Sequence, residues 1–198
     1  DSAWQFNHEP ELGLVSHDRG KGEFRIRTGK ICDDLTQAKN TLTQRMLYPG
    51  CIGEVTLDAG GLKEGDFAGL CALQGCYGFI GITRRNGQNY VVMVSRASDQ
   101  SDMNSFTDTV VPGTEWEAVP FSGNQIRLQV EADFTNKKDE AAFRFFDESR
   151  AEYRKVGITQ KLYFMLDHFT GCRFGLFIYS TRETGGFAKF SDFVYIEK

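Results

Sequence analysis

The chain has 198 residues, among them 21 glycines, 17 phenylalanines and 4 prolines, which is enough to bury one sizeable core and has the aromatic and turn content of a sandwich or barrel. A formal net charge of −4 with no dominant basic patch argues against a nucleic-acid partner, whose phosphates demand one. No apolar run reaches the length of a membrane span, and no basic amphipathic segment suits a membrane surface.

Strand signals recur along the chain. Phe24 and Ile26 alternate with Arg25 and Arg27; Val55 and Leu57 alternate with Glu54, Thr56 and Asp58. The span from Asp33 to Asn40 has room for a turn or two of helix but lacks an apolar stripe of helical period. Two apolar runs, Tyr77 to Ile82 and Tyr90 to Val94, flank Arg85-Asn86-Gly87-Gln88, and Asn-Gly between such runs is the strongest short hairpin signal. Alternation returns at Ile126, Leu128 and Val130, at Phe143 and Phe145, and at Leu162, Phe164 and Leu166. With no linker, low-complexity tract or repeat, this predicts a single all-β domain over residues 1–198, built as two packed antiparallel sheets.

The run from Cys172 to Tyr179 is the most informative. Cys172, Phe174, Leu176 and Ile178 point to one face, the core; Arg173, Gly175, Phe177 and Tyr179 point to the other. A cation, a gap and two aromatics suit a flat polar ligand with apolar ring faces, such as a sugar; they also suit a packed second face. The five cysteines, at 32, 51, 71, 76 and 172, form neither a disulfide framework nor a zinc pattern and read as buried thiols, with a Cys71–Cys76 pair as a minor alternative. The start at Asp1, without a signal peptide, fits a processed secreted protein or a module of a longer chain.

Three stretches carry a resemblance. They are Trp4-Gln5-Phe6-Asn7-His8; the span from Asn40-Thr41-Leu42-Thr43-Gln44-Arg45 through Leu62-Lys63-Glu64-Gly65-Asp66-Phe67-Ala68-Gly69-Leu70 to Tyr77-Gly78-Phe79-Ile80-Gly81; and the C-terminal run. Together they resemble the C-terminal module of glycoside hydrolase family 43 proteins of the β-xylosidase and arabinofuranosidase type. The resemblance implies a concanavalin A-like jelly roll. It also implies that the β-propeller bearing the catalytic carboxylates lies outside this chain, so that the module binds or stabilises and does not hydrolyse by itself. In such β-xylosidases the sandwich sends a loop with an aromatic toward the propeller's active site; the comparable stretch here, Asp33 to Gln44, contains no aromatic. The location implied is extracellular or periplasmic, or cytoplasmic for an intracellular xylosidase.

Three functions follow: a carbohydrate-binding module for xylan or arabinoxylan of the plant cell wall, a docking module whose partner is its own catalytic propeller, and a free-standing glycosidase. For sugar binding, the expected residues are Tyr179 and Arg173, with Tyr77, Phe79 and Phe177 beside them; Gly81 and Gly175 leave room for a ring. Gln44 and Arg144 join them if their strands share the sheet, and Trp116, in the loop after Pro112, is a separate exposed aromatic. For hydrolysis, Glu131-Ala132-Asp133 is the tempting acidic pattern, but a retaining pair sits about 5–5.5 Å apart across the sugar bond, and a solvated strand edge explains it better. His8, His17 and His168 are too scattered for a triad, and His168 is expected to pin a turn. Sandwiches of this kind often hold a structural calcium between an early loop and the last strand; Glu9 and Asp192, with Glu11 as a further candidate, are the expected side-chain ligands, with backbone carbonyls filling the shell.

Overall fold

The computed structural model describes residues 3–96, 113–162 and 171–198. Within them the chain forms, in order, β1 (Trp4–Phe6), β2 (Val15–Asp18), β3 (Glu23–Arg27), β4 (Leu42–Arg45), β5 (Gly50–Asp58), β6 (Asp66–Leu73), β7 (Tyr77–Arg85) and β8 (Gln88–Arg96). It continues with β9 (Thr114–Phe121), β10 (Gln125–Asp133), β11 (Glu140–Asp147), β12 (Glu152–Lys155), β13 (Gln160–Lys161), β14 (Arg173–Ser180) and β15 (Phe187–Glu197). No α-helix occurs among the described residues; the Asp33–Asn40 span contributes only a 3₁₀ turn, Leu35–Gln37.

The strands form two antiparallel sheets. Sheet A runs β1-β4-β14-β6-β7-β8-β9; sheet B runs β12-β11-β10-β5-β15-β3-β2, with β13 beside β11. Period-two alternation makes this arrangement work. From sheet A, Leu70, Ile80, Met93, Phe174 and Ile178 face inward; from sheet B, Val55, Leu57, Leu128, Val130, Phe143 and Phe190 meet them in one buried cluster. Burying each such side chain contributes about 1.5–3 kcal/mol. The expected hairpin is β7–β8, closed at Asn86 (φ 51°) and Gly87 (φ 76°), the two positive φ values that a two-residue turn matching strand twist requires. The β14 alternation is also as read: Cys172, Phe174, Leu176 and Ile178 lie between the sheets, while Phe177 and Tyr179 belong to a different cluster. Of the Leu162, Phe164 and Leu166 run, the last two, like His168, lie outside the described residues.

Candidate functional site

The second cluster lies on the outer face of sheet A. Leu73, Tyr77, Phe79, Val92, Val94, Phe177 and Tyr179 line it, and Cys32, Leu35 and Ala38 are buried with them. The last three come from the irregular segment between β3 and β4, which therefore packs on this face. The rings are organised: Phe67 stacks on Tyr179 with centroids 5.0 Å apart, and Phe79 meets Phe177 at 4.8 Å. Tyr77, Phe79 and Phe177 are fully buried, and Tyr179 is 5% exposed. The face expected to stack on a sugar is thus a second core. The expected glycine gaps are filled as well. A Cβ on Gly175 would stand 2.6 Å from Cys71 Sγ, and one on Gly81 would stand 2.2 Å from the Ala68 carbonyl oxygen. Glycine serves close packing here and leaves no space for a ring.

A buried carboxylate holds the covering segment down. Asp34, fully buried, accepts from the Thr36 N–H (2.6 Å) and hydroxyl through Oδ1. Its Oδ2 accepts from Arg96 Nη1 (2.9 Å) and from the Tyr77 hydroxyl (3.3 Å). Arg96 also donates to the Gly75 carbonyl (2.9 Å) and lies over the Tyr77 ring. Burial, then the Asp34 charge, pushes the Tyr77 phenol up, so it stays protonated and donates. His8 adds a tether from the N-terminal loop, its Nε2 standing 2.9 Å from the Thr36 carbonyl. The Asp34-Leu35-Thr36 turn has a local signature, since Asp bonds backbone two residues on; its partner 62 residues later has none.

The remaining expected sugar ligands are scattered. Arg173 does share the outer face of sheet A: it donates to Asn7 Oδ1 (2.6 Å) and Thr43 Oγ1 (3.4 Å), while its Nε is buried without a partner among the described residues. Burial lowers its pKa from the ordinary value, and the Arg45 charge adds to that. Gln44 lies in the same sheet but opposite Phe174, an inward residue, so it is on the other face from Arg173 and Tyr179. Arg144 lies in sheet B, pairing in register with Gln129 and donating to Gln129 and Glu131. Trp116 is on β9, not in a loop; it is half exposed and donates from Nε1 to Ser95 Oγ (2.8 Å).

The acidic pattern is committed to structure. Burial pushes the Glu131 carboxyl up, but its ion pairs with Lys198 and Arg144 outweigh this and hold it below the ordinary value. The Lys138 ammonium, then the Thr135 hydroxyl and N–H, depresses Asp133. Neither resembles a general acid, whose pKa must be raised. All five cysteines are buried, with no Cys71–Cys76 disulfide; burial pushes the Cys71 thiol up to about 12.

The expected calcium ligands lie on different elements. Exposed Glu9 lies in the loop after β1, its carbonyl facing Lys39; Asp192 lies in the β15 bulge with its carboxylate on the Ser191 hydroxyl. No group of three or more His, Cys, Asp or Glu among the described residues is placed to hold a metal, Glu11 included.

One surface feature escaped sequence reasoning. Ile52 pairs in register with Ile196 on the outer face of sheet B, and Val194 lies beside them. Val194, Ile196, Leu47 and Tyr48 are all exposed, Tyr48 by 77%. In the sequence, Val194 and Ile196 alternate with the aromatic Phe193 and Tyr195, so neither set is marked as outward; only the β15 bulge decides it.

Known proteins match this architecture over its whole length. Residues 1–196 match the family model described as Beta xylosidase C-terminal Concanavalin A-like domain. A structure described as a bifunctional GH43-CE protein from Bacteroides eggerthii is 38% identical with a TM-score of 0.88; the match covers 100% of this chain and 24% of that one. A GH43 glycoside hydrolase described as engineered for both endo-xylanase and exo-arabinofuranosidase activity is 26% identical with a TM-score of 0.90, covering 100% of this chain and 39% of that one. A Saccharomyces cerevisiae protein described as functionally unknown shares the fold at 12% identity and a TM-score of 0.70, and there the sandwich fills 97% of the chain. No curated protein matches. The chain spans well under half the length of the two glycoside hydrolases, and it belongs to the family of concanavalin A-like C-terminal domains found in family 43 glycoside hydrolases.

Proposed function

We propose that the chain is a non-catalytic accessory module that packs on the family 43 catalytic domain of a hemicellulose-degrading enzyme, and that it is not an independent binder of xylan. One observation carries this reading: the aromatic array that a sugar platform needs is sealed beneath Cys32, Leu35 and Ala38. A sugar stacks only on an exposed ring face, and those rings already stack on one another. The covering segment has no aromatic of its own to lend to an active site, so its contribution is shape and support. The match to modules of much longer glycoside hydrolases supplies the partner's class. Affinity electrophoresis of this chain in gels containing xylan, arabinan, arabinogalactan or cellulose tests the reading. It predicts unchanged mobility in all four; retardation by xylan would overturn it.

A further inference from the structure

The tip of the β7–β8 hairpin carries the single Asn-Gly pair of the chain, and Asn86 and Gly87 are both exposed there. A Cβ on Gly87 would meet nothing within 4 Å, so no packing shields the turn. We infer that Asn86 is a site of spontaneous deamidation and that the Glu64 carboxylate, by gripping the turn, holds that reaction in check. In the reaction the Gly87 nitrogen attacks the Asn86 side-chain carbonyl carbon. A bond forms between them, the bond to the side-chain nitrogen breaks, and ammonia leaves with the Gly87 proton. Water then opens the succinimide ring at one of its two carbonyls, which leaves an aspartyl or isoaspartyl residue at position 86. Glycine, with no side chain, hinders the attack least.

Three observations put Glu64 in control. First, its carboxylate takes both turn amides: Oε2 accepts from the Asn86 N–H (2.7 Å) and Oε1 from the Gly87 N–H (2.7 Å). The attacking nitrogen must shed the very proton that it gives to Glu64. That would set a nitrogen anion against a carboxylate, and a neighbouring like charge opposes ionisation. The Gly87 N–H first, then the Asn86 N–H and the Arg84 charge, hold the Glu64 carboxyl below its ordinary value, so it is charged at neutral pH. Second, ring closure requires rotation of the Asn86-Gly87 peptide, which pulls both N–H groups off the carboxylate and out of a turn set by φ 51° and 76°. Third, Glu64 is itself fixed. It lies in the β5–β6 connection, where the Gly65 N–H donates to the Arg84 carbonyl (3.0 Å) and the Gly65 carbonyl accepts from the Thr181 N–H (3.0 Å). Arg84 Nε stands 3.8 Å from Glu64 Oε1. Backbone bonds thus deliver the carboxylate to the turn, and charge-assisted bonds to N–H groups are the strong ones. What the grip protects is register. An isoaspartyl residue lengthens the backbone of a two-residue turn, and turn length sets how a hairpin pairs. Ile80, Ile82 and Met93 of this hairpin lie between the sheets, and Phe79, Val92 and Val94 lie in the outer core, so a slip of one residue would exchange the two sets.

Peptide mapping by mass spectrometry tests this, following Asn86 in the folded chain at mildly alkaline pH in isotopically labelled water, whose oxygen marks each opened ring. The wild type is compared with Glu64→Ala, Glu64→Gln and Glu115→Gln; melting curves establish that each folds. Glu115→Gln removes the partner of Arg85 at the foot of the same hairpin and leaves the Glu64 grip intact. We expect Glu64→Ala to speed deamidation of Asn86 at least fivefold, Glu64→Gln, which keeps an uncharged acceptor, to speed it less, and Glu115→Gln to match the wild type. In denaturant all four chains should share one faster rate, because the grip exists only in the folded state. Equal rates in the folded wild type and Glu64→Ala would overturn the inference. A slower rate in Glu64→Ala would make Glu64 a base that promotes the attack and would also overturn it. Equal acceleration by Glu115→Gln would show that general loosening of the hairpin sets the rate, and a folded wild type as fast as the denatured chain would show no protection at all; either result refutes the role given to Glu64.

Discussion

Replacing Asp34 tests whether the covering segment is held by its buried carboxylate. Asp34→Ala removes the acceptor for Arg96, the Tyr77 hydroxyl and the Thr36 N–H in one step. Breaking a buried ion pair by removing one partner costs about 3–5 kcal/mol, because the other charge is left uncompensated. The Arg96 side chain is 25% exposed and keeps its bond to Gly75, which places the loss near the low end, about 3 kcal/mol. For a domain of this size, each kcal/mol lowers the melting temperature by roughly 2–4 °C, so the expected fall is about 6–12 °C. Asp34→Asn, which keeps an acceptor for Thr36 but loses the charge, should fall less. Amide exchange read by mass spectrometry should accelerate across residues 30–41 in both variants and little elsewhere. In a double-mutant cycle with Arg96→Met the losses should be strongly non-additive. A melting temperature within about 2 °C of the wild type, or unchanged exchange across residues 30–41, would show that the segment is held by packing alone.

Tyr179→Ala should cost about 3–5 kcal/mol, as truncation of a buried aromatic does, and leave mobility in xylan gels unchanged; a binding loss with an unmoved melting temperature would return Tyr179 to a sugar site. The five buried thiols should resist a thiol-reactive dye in the native chain and all react on unfolding, so fast labelling of any one without denaturant contradicts the packing. Burial raises the Asp66 carboxyl, with Glu183 adding to and Lys63 opposing the shift, so between the unfolded value near 3.9 and the higher folded one the native state binds more protons. Wild-type stability relative to Asp66→Asn should therefore decline as pH rises through that window and level off above it; an advantage growing with pH would show the opposite shift.

The β14 face, the β7–β8 hairpin and the two-sheet architecture were legible because each depends on alternation or on a two-residue turn. The state of the outer face was not. Phe177 and Tyr179 are positioned by their strand, but whether they meet a ligand or protein depends on Cys32, Leu35 and Ala38, which sit in a segment without periodicity. Gln44 and Arg144 failed as neighbours of Arg173 for a related reason: the side of a sheet on which a residue falls, and the sheet in which its strand lies, are fixed by pairings between strands far apart in sequence.

The central claim is that this module is energetically coupled to a catalytic domain, and scanning calorimetry of the chain alone and in a polypeptide joined to that domain measures it most directly. A partner that binds only the folded module stabilises it by mass action, and even about 2.7 kcal/mol of coupling should raise its transition by roughly 5–11 °C or merge it with that of the catalytic domain. Two separate transitions, with the module melting at the same temperature joined or alone, would contradict the account.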